Sequence, residues 1–169
     1  RLAEDCYLLV LVDSIHRHVE GWLKKNFPPD AHVFITDVTS GYNIINLHGP
    51  KSRHLLSGLT SVDISNEAFP YLTMQEIDIG YALVKALRIT YVGELGWELH
   101  TPVAQLETLY DAVWAAGEEF DIADFGAYAV NSLRMEKAYR GWGTDMTNEM
   151  TMFETNMERF VKFDKGDFI

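Results

Sequence analysis

Glutamates and aromatic residues cluster around a glycine turn in RITYVGELGWELHT, residues 88–101. In the strand that follows the turn, Trp97 and Leu99 share one face and Glu98 lies on the other. A flat heterocycle rich in N–H groups is bound by an aromatic ring beside it and a carboxylate along its edge. Tyr91 and Glu98 are candidates for that pair. Spacing leaves open the alternative that Glu98 is a solvated strand residue and Tyr91 a packing aromatic.

Two further candidates lie in SLRMEKAYRGWG, residues 132–143. Arg134 interrupts an otherwise apolar helical face, so its guanidinium needs an anion, which is either a ligand or a protein carboxylate such as that of Glu136. Trp142 stands between two glycines. Its ring is either exposed to a pocket or packed in the core.

Composition excludes several other functions. The chain has 25 acidic and 14 basic residues, a net charge of −11, and no stripe of Lys or Arg, so nucleic acid is not an expected partner. Its longest apolar run, at residues 7–12, is too short to cross a membrane. The lone Cys6 is expected to be buried packing, and the six histidines form no metal motif. No P-loop, GxGxxG or serine-hydrolase motif is present.

The elements that must position these residues follow from periodicity. Residues 7–12 are predicted to form a strand, followed by a helix with Ile15, Val19, Trp22 and Leu23 on one face. Residues 32–38 and 42–49 are predicted to form a tight hairpin, and a leucine-rich helix starts after Gly49 and Pro50. This order is typical of a ferredoxin-like split β-α-β arrangement. The predicted fold class is therefore α+β, with an antiparallel or mixed sheet and helices in two layers.

The second half continues the same architecture. One or two strands are predicted within residues 74–92, and residues 96–101 return antiparallel to them. An amphipathic helix is predicted from Pro102 to about Glu119, and another from Ala127 to Arg140. The stretch GWGTDMTNEMTMFET follows neither period and is predicted to be loop.

Several of these segments together resemble one known family. RITYVGELGWEL, SLRMEKAYRGWGTDMTNEMTMFET, RFVKFDKGDFI and TDVTSGYNIINLHGPKSRHLLSGLT are similar to the folate-binding glycine-cleavage T-protein (aminomethyltransferase) family. Within that family they most resemble the folate module that follows the FAD module in dimethylglycine and sarcosine dehydrogenases. The likeness covers nearly the whole chain, and the combination of segments is specific although each alone is weak.

The resemblance implies a cofactor and roles for the four candidates. A tetrahydrofolate would occupy a central channel and receive a one-carbon unit on N5 and N10 from an amine-bound methylene. Glu98 would hold the pterin edge, Tyr91 would line the same pocket, and Arg134 would lie near the carboxylate or the pterin. Trp142, where relatives often carry tyrosine, would shape the wall without a hydroxyl group. No metal is implied.

The resemblance also places this chain in a larger protein. Residues 1–169 would be one folate-binding domain that lacks its N-terminal segment and a β-rich C-terminal domain. The catalytic aspartate would precede Arg1, so no residue of this chain is assigned as catalytic. FAD would belong to an upstream module, or else a lipoyl carrier protein would deliver the one-carbon donor, in the bacterial cytoplasm or the mitochondrial matrix. The alternative is a non-catalytic folate-binding or regulatory module of the same fold.

Overall fold

The chain folds into two compact units, and the computed structural model describes residues 1–167. One unit combines residues 1–37 with residues 142–167, and the other is formed by Val38–Gly141. Phe168 and Ile169, the end of the RFVKFDKGDFI motif, lie outside the described residues. That residues 1–169 are a single folate-binding domain of a longer protein stays a prediction.

The first unit contains one regular helix and extended connections. A 3-10 turn at Asp13–Ile15 leads into α1, His16–Asn26, which confirms the predicted helix. A Glu20–Lys24 ion pair of 2.6 Å lies one turn apart along α1, and no residue of this helix is fully buried. From residue 142 onward the described chain forms short turns, as its lack of periodicity predicted. No helix among the described residues is long and apolar enough to cross a membrane.

Two predicted strands in the first unit are wrong. Residues 7–12 and 32–38 pair with no strand, and every residue from 31 to 40 is exposed. A β-forming composition is realised only where a neighbouring strand supplies hydrogen bonds and a buried face, and neither is present at these positions. The predicted hairpin therefore has only its second strand. Cys6, expected to be buried, is exposed for the same reason.

The second unit is built on a four-stranded antiparallel sheet. Its strands are β1 (Tyr42–His48), β2 (Met74–Ile79), β3 (Ala82–Leu87) and β4 (Gly96–Pro102). They are ordered β1-β4-β3-β2, so β1 and β2 are the edges. The strand predicted at residues 42–49, the two strands within residues 74–92 and the returning strand are confirmed, as is the α+β class.

Three helices accompany the sheet: α2 (Ser52–Ser57), α3 (Leu106–Gly117) and α4 (Ala127–Glu136). Leu56 of α2 and Leu109 of α3 are completely buried with Trp97 and Leu99 of β4 in one apolar cluster. Burial of such a side chain contributes roughly 1.5–3 kcal/mol. Helices and sheet thus form two layers around one core, with the leucine-rich helix after Pro50 in its predicted role.

Alternation along the strands gives the sheet two different faces. The face with Trp97 and Leu99 packs into the core, as predicted from the sequence. The opposite face carries Glu98 and His100 of β4, and there Lys85 of β3 forms a 3.0 Å ion pair with Glu76 of β2. The polar side chains of β4 are therefore positioned by the same backbone that buries its apolar ones.

The loop before β4 is fixed to the end of β1. The carbonyl oxygen of Leu95 accepts hydrogen bonds from the Gly49 N–H at 2.8 Å and from the Ser52 hydroxyl at 3.0 Å. Gly93 adopts a φ of 79°, which glycine tolerates without a steric penalty, within the predicted turn. The loop carrying Tyr91 is thereby held beside the β1–α2 corner.

Gly96 should be essential to the pairing of β1 with β4. It lies opposite His48, and a Cβ there would come under 3.0 Å from His48 Nδ1, His48 Cα and the Leu47 carbonyl oxygen. Gly96→Ala is expected to lower the free energy of unfolding by about 1–3 kcal/mol through overpacking. Urea unfolding measures the change. Gly41→Ala is the matched control, because nothing lies within 4 Å of its Cβ position. Equal losses in the two variants would contradict the assigned close approach.

Candidate functional site

A cavity of about 720 Å³ lies in the second unit, and both members of the predicted pair line it. Glu98 lines it from β4 and Tyr91, which is 40% exposed, from the loop before β4. The other lining residues include residues 44–52 of β1 and the corner that follows, residues of α3, Leu55 and Val130 of α2 and α4, and residues 120–125. A cavity of this size is within the range of small-molecule sites. An aromatic ring and a carboxylate are therefore both available to a ligand in this cavity.

Glu98 is sheltered and held at one of its oxygens. Its side chain is 21% exposed, and Oε2 lies 3.2 Å from Nε2 of His100, whose side chain is only 4% exposed. No described residue bonds the other oxygen, Oε1. His100 orients the carboxylate while leaving acceptor capacity, since each carboxylate oxygen has two lone pairs. Glu98 is thus not a residue pointing into bulk water.

His48, at the end of β1, is a second ionisable group of the cavity. Its Nδ1 is buried without a hydrogen-bond partner. Burial lowers the pKa of this imidazole below the ordinary value of 6.5, and the negative charge of Glu98 offsets part of that shift. Because the lowered pKa favours the uncharged form of this half-buried ring, His48 is neutral at neutral pH.

Aromatic side chains form much of the wall. Tyr110 and Trp114, one turn apart on α3, stack with ring centroids 5.7 Å apart and an interplanar angle of 18°. The Tyr110 hydroxyl donates to Asp124 at 3.1 Å. Desolvation, and then this hydrogen bond, raises the pKa of Tyr110. Together with Tyr91, these rings offer flat apolar surface to a planar ligand.

The electrostatics of the cavity are acidic. Its lining contains the carboxylates of Glu98, Asp121 and Asp124 against the single ammonium of Lys51. Such a lining favours ligand groups that donate N–H bonds or carry positive charge, and it disfavours bare anions.

The structure does not place the other two predicted site residues in this cavity. Arg134 is 6% exposed at the end of α4, where Nε and Nη2 donate to Asn131 Oδ1 at 2.9 and 2.6 Å and Nη1 donates to the Tyr139 carbonyl at 2.9 Å. The acceptors of these three bonds are oxygens of neutral groups. Trp142 belongs to the first unit, where it is 37% exposed and bridges to Met146. Their ligand roles stay predictions.

Sequence reasoning missed His48 and His100. His100 lies two residues after Glu98 on the same strand face, so strand alternation was a sufficient signal for it. His48 had no such signal. Its neighbour in space is Gly96, and that pairing depends on the register of β1 against β4.

Known proteins are similar to this chain over nearly its whole length. The sequence model described as the GCVT N-terminal domain matches residues 1–165. A mitochondrial dimethylglycine dehydrogenase of Mus musculus is 39% identical over 165 residues, 96% of this chain and 19% of the relative. A mitochondrial pyruvate dehydrogenase phosphatase regulatory subunit of Mus musculus is 33% identical over 171 residues, 100% of this chain and 20% of the relative. The chain spans about a fifth of the length of these relatives.

Two further comparisons extend this result. An aminomethyltransferase of Koribacter versatilis is 31% identical over 171 residues, 100% of this chain and 44% of the relative. Among solved structures, the heterotetrameric sarcosine oxidase from Corynebacterium sp. U-96 superposes with a TM-score of 0.52 at 16% identity. That match covers 68% of this chain and 55% of the other, and at this identity it supports the fold alone.

The buried imidazole predicts a pH-dependent stability. As pH falls through 6.5, His48 binds a proton in the unfolded chain but not yet in the folded protein, whose pKa is lower. The unfolded state then holds more protons, so this contribution to stability is complete above 6.5 and is lost as pH falls toward the folded pKa. His48→Gln should reduce the decline in the free energy of unfolding that begins as pH falls below about 6.5, measured by urea unfolding. His54→Gln, on the exposed side of α2, is the control for the loss of a histidine. An unchanged slope in the His48 variant would exclude a neutral imidazole at this position.

Proposed function

This chain belongs to the GCVT N-terminal domain family, and on that premise we propose that it is a tetrahydrofolate-binding module for one-carbon transfer. The observation that carries the proposal is the sheltered carboxylate of Glu98 in the cavity that Tyr91 also lines. A scaffold domain with a merely solvated hairpin acid would have Glu98 in open solvent.

The cavity suits the pterin ring of such a cofactor. A 2-amino-4-oxo pterin presents an amino group and a ring N–H side by side, and a carboxylate accepts both in a fork. Glu98 has the acceptor capacity, because only Oε2 is engaged by His100. Tyr91 and the stacked Tyr110 and Trp114 offer ring surfaces. Hydrogen bonds to a charged group contribute on the order of 1.5–3 kcal/mol.

The residues of this chain would bind and orient the cofactor, and they would not themselves make or break bonds. Tetrahydrofolate, when bound, supplies the N5 and N10 atoms that accept a one-carbon unit. Glu98 would hold the ring edge, His100 would fix the carboxylate, and the aromatic side chains would offer flat surface to the ring. Fixing a reactant in this way lowers the entropic part of the barrier. Trp142 and Arg134 are retained as proposed contributors to the complete pocket of the parent protein.

The parent protein would supply the one-carbon donor and the catalytic carboxylic acid. We assign the parent to the N-methyl-amine dehydrogenase or oxidase group, in which an FAD module acts in cis, with a lipoyl carrier protein as the other possible source of the donor. The dimethylglycine dehydrogenase relative supports the former and the aminomethyltransferase relative the latter. In this proposal the catalytic residue is an aspartate of the parent protein that lies outside this chain. The mitochondrial relatives and the bacterial aminomethyltransferase are the support for the proposed location, the mitochondrial matrix or the bacterial cytoplasm.

A second candidate is a regulatory module without one-carbon transfer. It is favoured by the 33% identity over the whole chain to a phosphatase regulatory subunit. The parent sequence just upstream of Arg1 separates the two candidates: an aspartate there supports transfer, and its absence supports regulation.

Replacing the carboxylate should weaken folate binding strongly. Glu98→Gln keeps the size of the side chain but replaces one acceptor oxygen by a donor that opposes the N–H groups of the pterin. Loss of charge-assisted bonds of about 1.5–3 kcal/mol corresponds to a dissociation constant raised about 10- to 100-fold. Isothermal titration calorimetry with tetrahydrofolate under argon measures the constant.

The matched control is Glu107→Gln, an exposed glutamate in the first turn of α3 that does not line the cavity. It removes the same charge from the chain and should leave the dissociation constant within about twofold. Equal binding by the Glu98 variant and the unaltered chain would remove Glu98 from the site. Equal weakening by both variants would indicate a general charge effect only.

A further inference from the structure

The imidazole of His48 is unusual among the polar side chains of this protein. Within residues 1–167, only two side-chain nitrogens are buried without a partner, Nδ1 of His48 and Nε1 of Trp97. The tryptophan faces the core, whereas His48 lines the cavity. An unpaired buried polar group costs about 1–3 kcal/mol, so a histidine whose only task is packing would be replaceable by an apolar residue at a gain.

The environment of the ring selects one tautomer. A neutral imidazole carries one N–H and one lone pair, and an orphaned buried N–H is the rarer and costlier arrangement. The lone pair therefore belongs on Nδ1, which is packed against the backbone of Gly96. The proton then sits on Nε2, from which no described residue accepts a hydrogen bond. Unlike Nδ1, Nε2 is not one of the buried nitrogens without a partner, so it stays accessible and can donate to a ligand in the cavity that His48 lines.

The strand register puts this donor beside the carboxylate. His48 pairs with Gly96 and Asn46 pairs with Glu98, so His48 and Glu98 are diagonal neighbours on one face of the β1–β4 ladder. Diagonal positions are about 7–8 Å apart at their backbones, which long side chains span. The influence of the Glu98 charge on the imidazole reflects the same closeness. The cavity thus presents an acceptor and, next to it, a donor.

We propose that His48 is a specificity-determining residue of this cavity, donating its Nε2–H to a ring carbonyl adjacent to the N–H groups that Glu98 accepts. The inference rests on the proposed folate function and adds a ligand class to it. The selected ligands are heterocycles with a donor–donor–acceptor edge, such as a 2-amino-4-oxo pterin. A 2,4-diamino ring places a donor where His48 also donates and a lone pair on N3 where Glu98 accepts, so the site discriminates against it at both residues.

A matched pair of ligands tests this directly. Tetrahydrofolate and the tetrahydro form of aminopterin differ at two neighbouring ring positions, because the 4-amino ring lacks the 4-oxo acceptor and also the hydrogen on N3; both are titrated calorimetrically under argon. The unaltered chain is expected to bind the oxo ligand more than about tenfold more tightly, because the bond from His48 and one bond to Glu98 are both lost with the amino ligand. His48→Leu should weaken the oxo ligand about five- to tenfold, the value of one neutral hydrogen bond, and leave the amino ligand within about twofold. His48→Gln, which keeps an N–H donor, should restore most of the preference.

The outcomes separate this inference from the function on which it rests. If neither ligand binds the unaltered chain, both proposals are wrong. If tetrahydrofolate binds in a manner dependent on Glu98 but His48→Leu weakens both ligands equally, or neither, only the role of His48 is overturned. His54→Leu, outside the cavity, is the control for histidine loss.

A measurement on the unaltered chain keeps the test decisive if a variant fails to fold. Long-range ¹⁵N–¹H spectra of histidine-labelled protein distinguish the two tautomers of a neutral ring, and the His48 signals are assigned on the unaltered chain by through-bond correlation to its backbone. The expected result near neutral pH is a protonated Nε2 and a bare Nδ1. A proton on Nδ1 would leave Nε2 without a hydrogen to donate and would overturn the inference.

Discussion

The pairing of β1 with β4 is the constraint on which the candidate site depends. Seven residue pairs run antiparallel from Tyr42–Pro102 to His48–Gly96. The absence of a side chain at Gly96 allows the ladder to close at its last pair, where His48 and Leu47 approach the backbone of β4. The bonds to the Leu95 carbonyl then fix the loop that precedes β4. A shift of one residue in this register would move Glu98 to the core face.

Stability and chemistry are divided between the two faces of one strand. Trp97 and Leu99 are completely buried and join the sheet to its helices. Glu98 and His100 alternate with them and face the opposite way. Because the core holds Trp97 and Leu99 in place, the carboxylate between them has little freedom to turn. A rigid strand is a more precise support for a binding group than a loop, and this precision is what hydrogen-bond recognition requires.

The charge of the cavity narrows the ligands that it suits. The chain as a whole carries a net charge of −11, and the lining of the cavity follows that sign. Asp121 and Asp124 disfavour an anionic group near them, whereas N–H donors along a neutral ring meet Glu98 without a repulsive partner. A neutral ring bound by one oriented carboxylate and flat aromatic side chains is recognised by its hydrogen-bond pattern and its shape. Its affinity should depend only weakly on ionic strength once the ring is desolvated.

Residues 95–100 show what could be predicted from the order of the amino acids. Alternation with a period of two placed Glu98 and Trp97 on opposite faces of the strand. The glycines marked the turn. Both predictions depend only on local backbone geometry. The strands predicted at residues 7–12 and 32–38 did not form, since pairing requires a partner that composition cannot supply. At the end of α4, Arg134 bonds Asn131 and the Tyr139 carbonyl, a contact set by the helix end that the sequence pattern did not indicate, and its anionic partner stays a prediction. His48 became visible only through its neighbours across the ladder, because register and burial bring together residues that are 50 positions apart in the chain.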